Sequence, residues 1–422
     1  MKSVEHKATG PTFHELNWFL IITIVFAIII PLMGNFLGWN EKKLFDQRQW
    51  ILSWYYSICI VIGIITFFRY GASRLATDRY SFFMLIGIFI FIFSVVLGIL
   101  DGRKVSPMSV MAPFFTVLIF HIFPRVKTSI NLSIVAWMLI AFLLAPLLVL
   151  IFPELFKIPF KLNAFDSFRG FSSSRTDYGY LVGIAILILV SRPALVSLVF
   201  IPAMLFVLML SGNRAALLSV AIASAYSMTA SRYKGSSVIV WIGLFTACAY
   251  LLTIFLGEGY LERGVTLFQD SGDRLKILAA SIDKVYANIL FGSGAFYQNV
   301  YVSSIGRIVE PHNSVLQSIL NFGLIATMLW YLVVAKTYFS FNAVGRSFLL
   351  YWLIFGLFHP GYDAFLFTPE SFIPLLLAVH CGPLDIRHLR RGNSRETSVL
   401  RIPLRFHRYP DQGLRTVADT NC

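Results

Sequence analysis

Long apolar stretches recur along this chain, separated by short polar breaks, and their length is the first thing to interpret. Roughly 20 apolar residues carry a helix across a bilayer. About twelve such runs begin near Asn17, Ile51, Ser81, Met108, Ile130, Tyr178, Pro193, Ala215, Val238, Ser314, Ser347 and Phe365. The pattern predicts an all-α, polytopic integral membrane protein of about twelve transmembrane helices. The runs near Tyr178, Ser347 and Phe365 are short, which fits tilted or broken helices or an overcount. The first run lacks a small-residue cleavage site and leads into the polar stretch Asn35 to Gln49, so it reads as a retained helix. No internal repeat recurs, which weighs against a transporter built from duplicated halves.

Composition agrees with the pattern. Hydrophobic residues make up 57% of the 422 and charged ones 13%, with a mean hydropathy of +0.73; these values exclude a soluble globular surface. The predicted organisation is one transmembrane domain over residues 1–382 and a basic, disordered cytoplasmic tail over residues 383–422. That tail carries Arg387, Arg390, Arg391, Arg395, Arg401, Arg405, Arg408 and Arg415. Basic residues in short loops are retained on the cytoplasmic side, so the tail fixes the C-terminus inside. With twelve spans, Lys2 and Lys7 then lie inside too. The net charge of +14 is met by anionic lipid headgroups under the membrane and requires no nucleic acid.

On this topology two sizeable loops, about 152–177 and 257–312, face outward, together with the turns Ser211–Arg214 and His359–Asp363. None of the four cysteines falls there. Cys59 and Cys248 sit within runs, Cys381 at an inner helix end and Cys422 at the terminus, so neither a disulfide framework nor a thiolate metal site is available outside. Arg169, Arg175, Arg214, Arg263, Arg274 and Arg307 all fall on the outer side, against the direction the charge rule prefers. A guanidinium offers a planar fork of donors to phosphate oxygens and keeps its charge, so this distribution suggests an anionic ligand; snorkelling from helix ends is the competing explanation for any one of them. Only His312 and His359 of the eight histidines face outward. An imidazole at a helix start tends to stay neutral and therefore basic. Asn313 or Ser314 would cap that helix, which runs on through Gly323.

Two carboxylates add alternatives. Glu370 is the one placed within a span, about two turns past Asp363, and an intramembrane charge is a functional candidate by default. It offers a group to orient an acceptor, a partner for an outer arginine, or a base in place of His312. Tyr178, Tyr297, Tyr301 and Tyr362 are aromatic platforms on the outer side for stacking on sugar rings. Gly292-Ser293-Gly294 reads as a tight turn.

The stretch HNSVLQSILNFGLI from His312, the turn SGNRAALLS with Ser211-Gly212-Asn213-Arg214, and Arg274-Leu275-Lys276-Ile277-Leu278 followed by Phe291-Gly292-Ser293-Gly294 together resemble the bacterial O-antigen ligase and Wzy-type polymerase superfamily. The resemblance covers roughly residues 178–338. It implies a glycosyltransferase working without metal or cofactor at the outer leaflet of the bacterial inner membrane, its site on the periplasmic side. The donor it implies is a glycan on undecaprenyl diphosphate, with membrane lipids around it and a flippase and a chain-length regulator as companion proteins. His312 would then be the base, with Arg214 and Arg274 meeting the leaving diphosphate. Arg169, Arg175, Arg263, Arg307, Asn313, His359, Asp363 and Glu370 would bind substrate. Polymerisation of lipid-linked repeats is the expected reaction, ligation to lipid A-core the alternative within the same chemistry. A lipid-linked sugar flippase or solute permease is the alternative from another class, less favoured because the spans are almost free of charge.

Overall fold

The computed structural model describes residues 14–36, 41–70, 132–152, 163–164, 167–172, 174–191, 195–230, 275–287, 289–292, 300–309, 311, 313–359 and 369–381, with isolated helical positions between 89 and 100. The described chain is mostly helical. Nine helices carry labels here: α1 (His14–Phe36), α2 (Glu41–Tyr70), α3 (Leu132–Ile151), α4 (Arg175–Ser191), α5 (Leu195–Leu210), α6 (Arg214–Ala230), α7 (Ser314–Ser340), α8 (Ala343–Gly356) and α9 (Pro369–Cys381). They answer to nine of the twelve apolar runs. The runs near Met108 and Val238, and the tail over 383–422, lie outside the described residues, and of the run near Ser81 only isolated helical positions are described.

α4 is the axis of the bundle. Every residue from Tyr178 to Leu189 is buried, and a helix that is apolar all round must be surrounded. It packs against α3, α5, α6, α8 and α9. α6 reaches its neighbours through small residues: Ala216, Ser219, Ala223 and Ser227 are buried at i, i+3, i+7 and i+11, while Leu218 and Ile222 face outward. That face packs on α4 and α8, and α8 fills the space with buried Phe348, Tyr351, Trp352 and Phe355. Small residues at a helix interface let backbones approach closely, which is how helices associate where the surroundings are as apolar as the side chains.

The outside of the bundle is apolar too. Trp54, Phe68, Ile134, Ile151, Val199, Met328, Leu332 and Phe339 are all exposed. A soluble protein rarely presents so much contiguous hydrocarbon to solvent; a membrane protein must. Leu132–Val149 and Ser314–Ser340 are long and apolar enough to cross a bilayer, and the other apolar helical stretches are shorter.

Several sequence expectations are corrected. α2 begins at Glu41, so most of the polar stretch before Ile51 is helix and not loop. The segment 257–312, expected from sequence as an outward-facing loop, contains a helix over residues 275–287 and an antiparallel hairpin, β3 (Val300–Val302) with β4 (Arg307–Val309). The segment 152–177 contains a second short pair, β1 (Asn163–Ala164) with β2 (Ser167–Phe168), and its last three residues already belong to α4. α7 is not continuous: Gly323 has φ 83° and ψ 168° and breaks it.

The cause of that break is a close approach. Leu324 N–H, which loses its helical partner at the kink, donates instead to Ile289 O at 2.8 Å. A Cβ at Gly323 would overlap the Leu290 carbonyl, and one at Gly292 would come 2.6 Å from Gly323 N. Residues 289–292 therefore dock into the interrupted helix. Backbone freed inside a membrane has to find a partner in the protein, and this segment provides it.

Candidate functional site

Three asparagines at helix starts determine which helix ends meet. Asn213 caps α6, accepting from Ala216 N–H at 3.1 Å, and its amide donates to Thr176 O at 3.0 Å in the first turn of α4. Asn313 caps α7, accepting from Leu316 N–H at 3.0 Å, and donates to Leu357 O at 3.0 Å just past α8. Asn342 caps α8 at Gly345 N–H and donates to Cys381 O at the end of α9. An asparagine can do both at once because its side chain holds an acceptor and two donors. Each thus satisfies an orphan group of its own helix and one of a neighbour's terminal groups.

The contacts sort the helix ends into two sets. Ser314 Oγ donates to His359 O at 2.6 Å. The His359 ring stacks on Phe355, with centroids 4.8 Å apart, and Phe355 lies 4.5 Å from Tyr180 near the start of α4. Tyr351 Oη donates to Tyr180 O at 2.8 Å, and Gly183 makes room for that hydroxyl. The starts of α4, α6, α7 and α9 and the end of α8 therefore share one end of the bundle. At the opposite end Arg346 donates to Tyr338 O and Phe339 O at 3.0 and 2.9 Å, closing the last turn of α7, and reaches Tyr226 Oη at 3.5 Å.

The first end holds most of the described site candidates. Arg175 and Arg214 are both exposed and are the first residues of α4 and α6. A cation in that position opposes the helix dipole, whose positive end is already there. The two helix starts are tied together by Asn213, and Gly179 permits the approach, since a Cβ there would lie 2.6 Å from Asn213 Cβ. Two guanidinium groups and two helix N-termini thus add their positive potentials in one region. Ser174 Oγ accepts from Asp177 N–H at 3.0 Å and caps α4; Arg169 is half-buried just ahead of it. Among the described residues no group of three histidine, cysteine or carboxylate side chains stands close enough to hold a metal.

The remaining candidates divide clearly. The Asn313 amide is engaged at both ends, as cap and as cross-link. His359 is half-buried against Phe355. Glu370 is buried in the first turn of α9. Arg307 lies on β4, with only its backbone described. His312, Arg263, Arg274 and Asp363 lie outside the described residues, as do Tyr297 and Tyr362. Tyr178 is no platform for a sugar: it is fully buried, its hydroxyl donates to Leu143 O at 2.6 Å and its ring meets Phe168 edge-on. Tyr301 is 62% exposed and remains accessible. Sequence reasoning overlooked Gly179, Asn213 as a cross-link and the Asn342–Arg346 closure. An asparagine just before an apolar run is the one signal that marks such caps in advance.

Residues 198–331 match the family described as O-antigen ligase. The matched span runs from α5 to the kinked α7 and includes the Ser211–Arg214 turn, the helix over 275–287, the docked segment 289–292 and Gly323. Comparison with curated proteins and with solved structures found no match. The match over 198–331 supports the O-antigen ligase and Wzy-type superfamily and, at a coarse level, an enzyme of the glycosyl-transfer type.

Proposed function

Taking that O-antigen ligase domain as the premise, we propose that the protein polymerises undecaprenyl-diphosphate-linked oligosaccharide repeats into an exopolysaccharide or O-antigen at the outer leaflet of the bacterial inner membrane. The observation that carries this reading is the joining of Arg175 and Arg214 at two cross-linked helix N-termini. Transfer from a lipid diphosphate breaks the anomeric C–O bond and leaves a diphosphate whose growing negative charge must be stabilised. Donors held in place ahead of that event lower the barrier without reorganising. Helix N-termini bind phosphate oxygens through exposed N–H groups, and guanidinium forks bind them in pairs. Arg274 is the third cation assigned to this role, and Arg169, Arg263 and Arg307 hold the remainder of the anionic substrate.

The acceptor is a sugar hydroxyl, a weak nucleophile until a base takes its proton. His312 is that base, directly before the Asn313 cap. The hydroxyl oxygen forms the new bond to the anomeric carbon as the diphosphate leaves from the opposite face, so the configuration inverts. Asn313, His359, Asp363 and Glu370 stand for acceptor binding, and Glu370 is the alternative base. The cations replace what a metal would contribute, and no cofactor takes part. A flippase that delivers the lipid-linked repeat and a chain-length regulator complete the assembly.

The test is a reaction of purified protein with an undecaprenyl-diphosphate-linked repeat, with and without lipid A-core, resolved by product length. A ladder without added acceptor is the expected result. A single transfer that requires lipid A-core would replace polymerisation by ligation, and no product from folded protein would favour transport of the lipid-linked sugar.

A further inference from the structure

The helix over residues 275–287 divides its surface three ways. At about 100° per residue, Ile277 and Ser281 point to one side and are buried, Ile277 in a small core with Val300, Val302 and Leu320. Lys276 and Asp283 point to a second side and are exposed. Leu275, Leu278, Ile282 and Tyr286, spaced i, i+3, i+7 and i+11, form a third side that is apolar and also exposed, Leu275 by 65% and Tyr286 by 72%. A helix with one face on protein, one polar and one bare and apolar has the partition of an element lying at a lipid boundary.

The chain that follows says which medium covers the bare side. Ile289 bonds to Leu324 at the break in α7, about 14 Å along that helix from Ser314 at 1.5 Å per residue. That depth is about half of a hydrocarbon core roughly 30 Å thick. Leu290 and Phe291 are exposed there, by 50% and 44%, beside the α7 surface where Ile325 and Met328 are exposed too. A single residue lies between positions 287 and 289, and the two chain steps reach about 7 Å at most. The end of the helix is thereby held close to the level of the break, and its apolar side continues a surface that already faces lipid.

We propose that the helix over 275–287 is a lipid-embedded arm of the segment 257–312, with Leu275, Leu278, Ile282 and Tyr286 seated in the acyl chains of the bilayer and Lys276 and Asp283 on the side turned away from them. The inference is independent of which glycosyl transfer the protein performs. It makes the arm, with residues 289–292 as its anchor in α7, the element that fixes the level of that segment relative to the membrane.

The test uses the whole protein in nanodiscs of a defined phospholipid carrying a photoactivatable diazirine on its acyl chain, with adducts mapped by mass spectrometry. Adducts are expected on Leu275, Leu278, Ile282 and Tyr286 at yields within about threefold of those on Met328 and Leu332 of α7, and not on Lys276 or Asp283, as an interfacial helix requires. Adducts on α7 with none over 275–287 would overturn the proposal. So would adducts on the stripe that vanish when an equimolar polyprenyl diphosphate is added, which would make it a groove for that lipid, or cross-links from the stripe to a second copy of the chain.

Discussion

Asn213, Asn313 and Asn342 are each asked for a cap and a cross-link, and the amide supplies the acceptor and the donors on separate atoms. Serine at Asn213 keeps an acceptor for Ala216 N–H and loses the bond to Thr176 O. We expect Asn213→Ser to cost about 1 kcal/mol and Asn213→Ala about 2 to 3 kcal/mol, since the second loses the cap as well. Thermal unfolding in detergent measures both, and equal effects would show that the cross-link contributes nothing. Gly323 and Gly306 make a matched pair. Both have positive φ, but a Cβ at Gly306 meets nothing within 4 Å while one at Gly323 meets the docked segment. Gly306→Ala is expected to cost about 1 kcal/mol from the backbone alone, and Gly323→Ala about 3 kcal/mol or more. A similar yield of folded protein from both would show that the close approach is not needed.

At the scale of elements, α4 shows what the surroundings demand. Leu187 is buried within the bundle while Leu332 on α7 is 58% exposed. Leu187→Ala should cost about 2 to 4 kcal/mol because the cavity cannot collapse around an enclosed helix, and Leu332→Ala should change little, since lipid follows the surface. Denaturation in graded SDS distinguishes them, and equal sensitivity would contradict the enclosed position of α4. The existence of these helices was legible in the apolar runs because hydrophobic length alone signals a span. The helix start at Ser314 was legible because Asn313 is a strong cap. The break at Gly323 was not, because a single glycine in an apolar helix reads as tolerated and only the docking of residues 289–292 makes it a kink. The helix over 275–287 was missed for a related reason. Its apolar residues occupy two separate sides, so no single stripe stands out from a segment rich in Gly and Ser.

At the scale of the molecule, helix ends that are far apart in sequence meet because the capping asparagines donate to carbonyls at neighbouring helix ends, and the cations follow the ends. The number of arginines assigned to the outer side is what suggested an anion site from sequence. That Arg175 and Arg214 share a region was not legible there, since it depends on the Asn213–Thr176 bond across 37 residues. An anion drawn by this potential should bind more weakly as salt rises. Pyrophosphate is expected to bind the purified protein, with affinity falling about tenfold in Arg175→Ala or Arg214→Ala, as loss of one charge-assisted pair predicts. Calorimetry reads this directly, and unchanged affinity in both variants would remove the pair from the site.

The most direct test of the account is the yield of glycan from an undecaprenyl-diphosphate-linked donor by purified wild-type, Arg214→Ala and His312→Ala proteins, each shown to be folded. The account predicts product from wild type and a loss of about a hundredfold or more in each variant, the scale of removing one oxyanion-stabilising group or one general base. Full activity in both variants, or none from wild type, would contradict it.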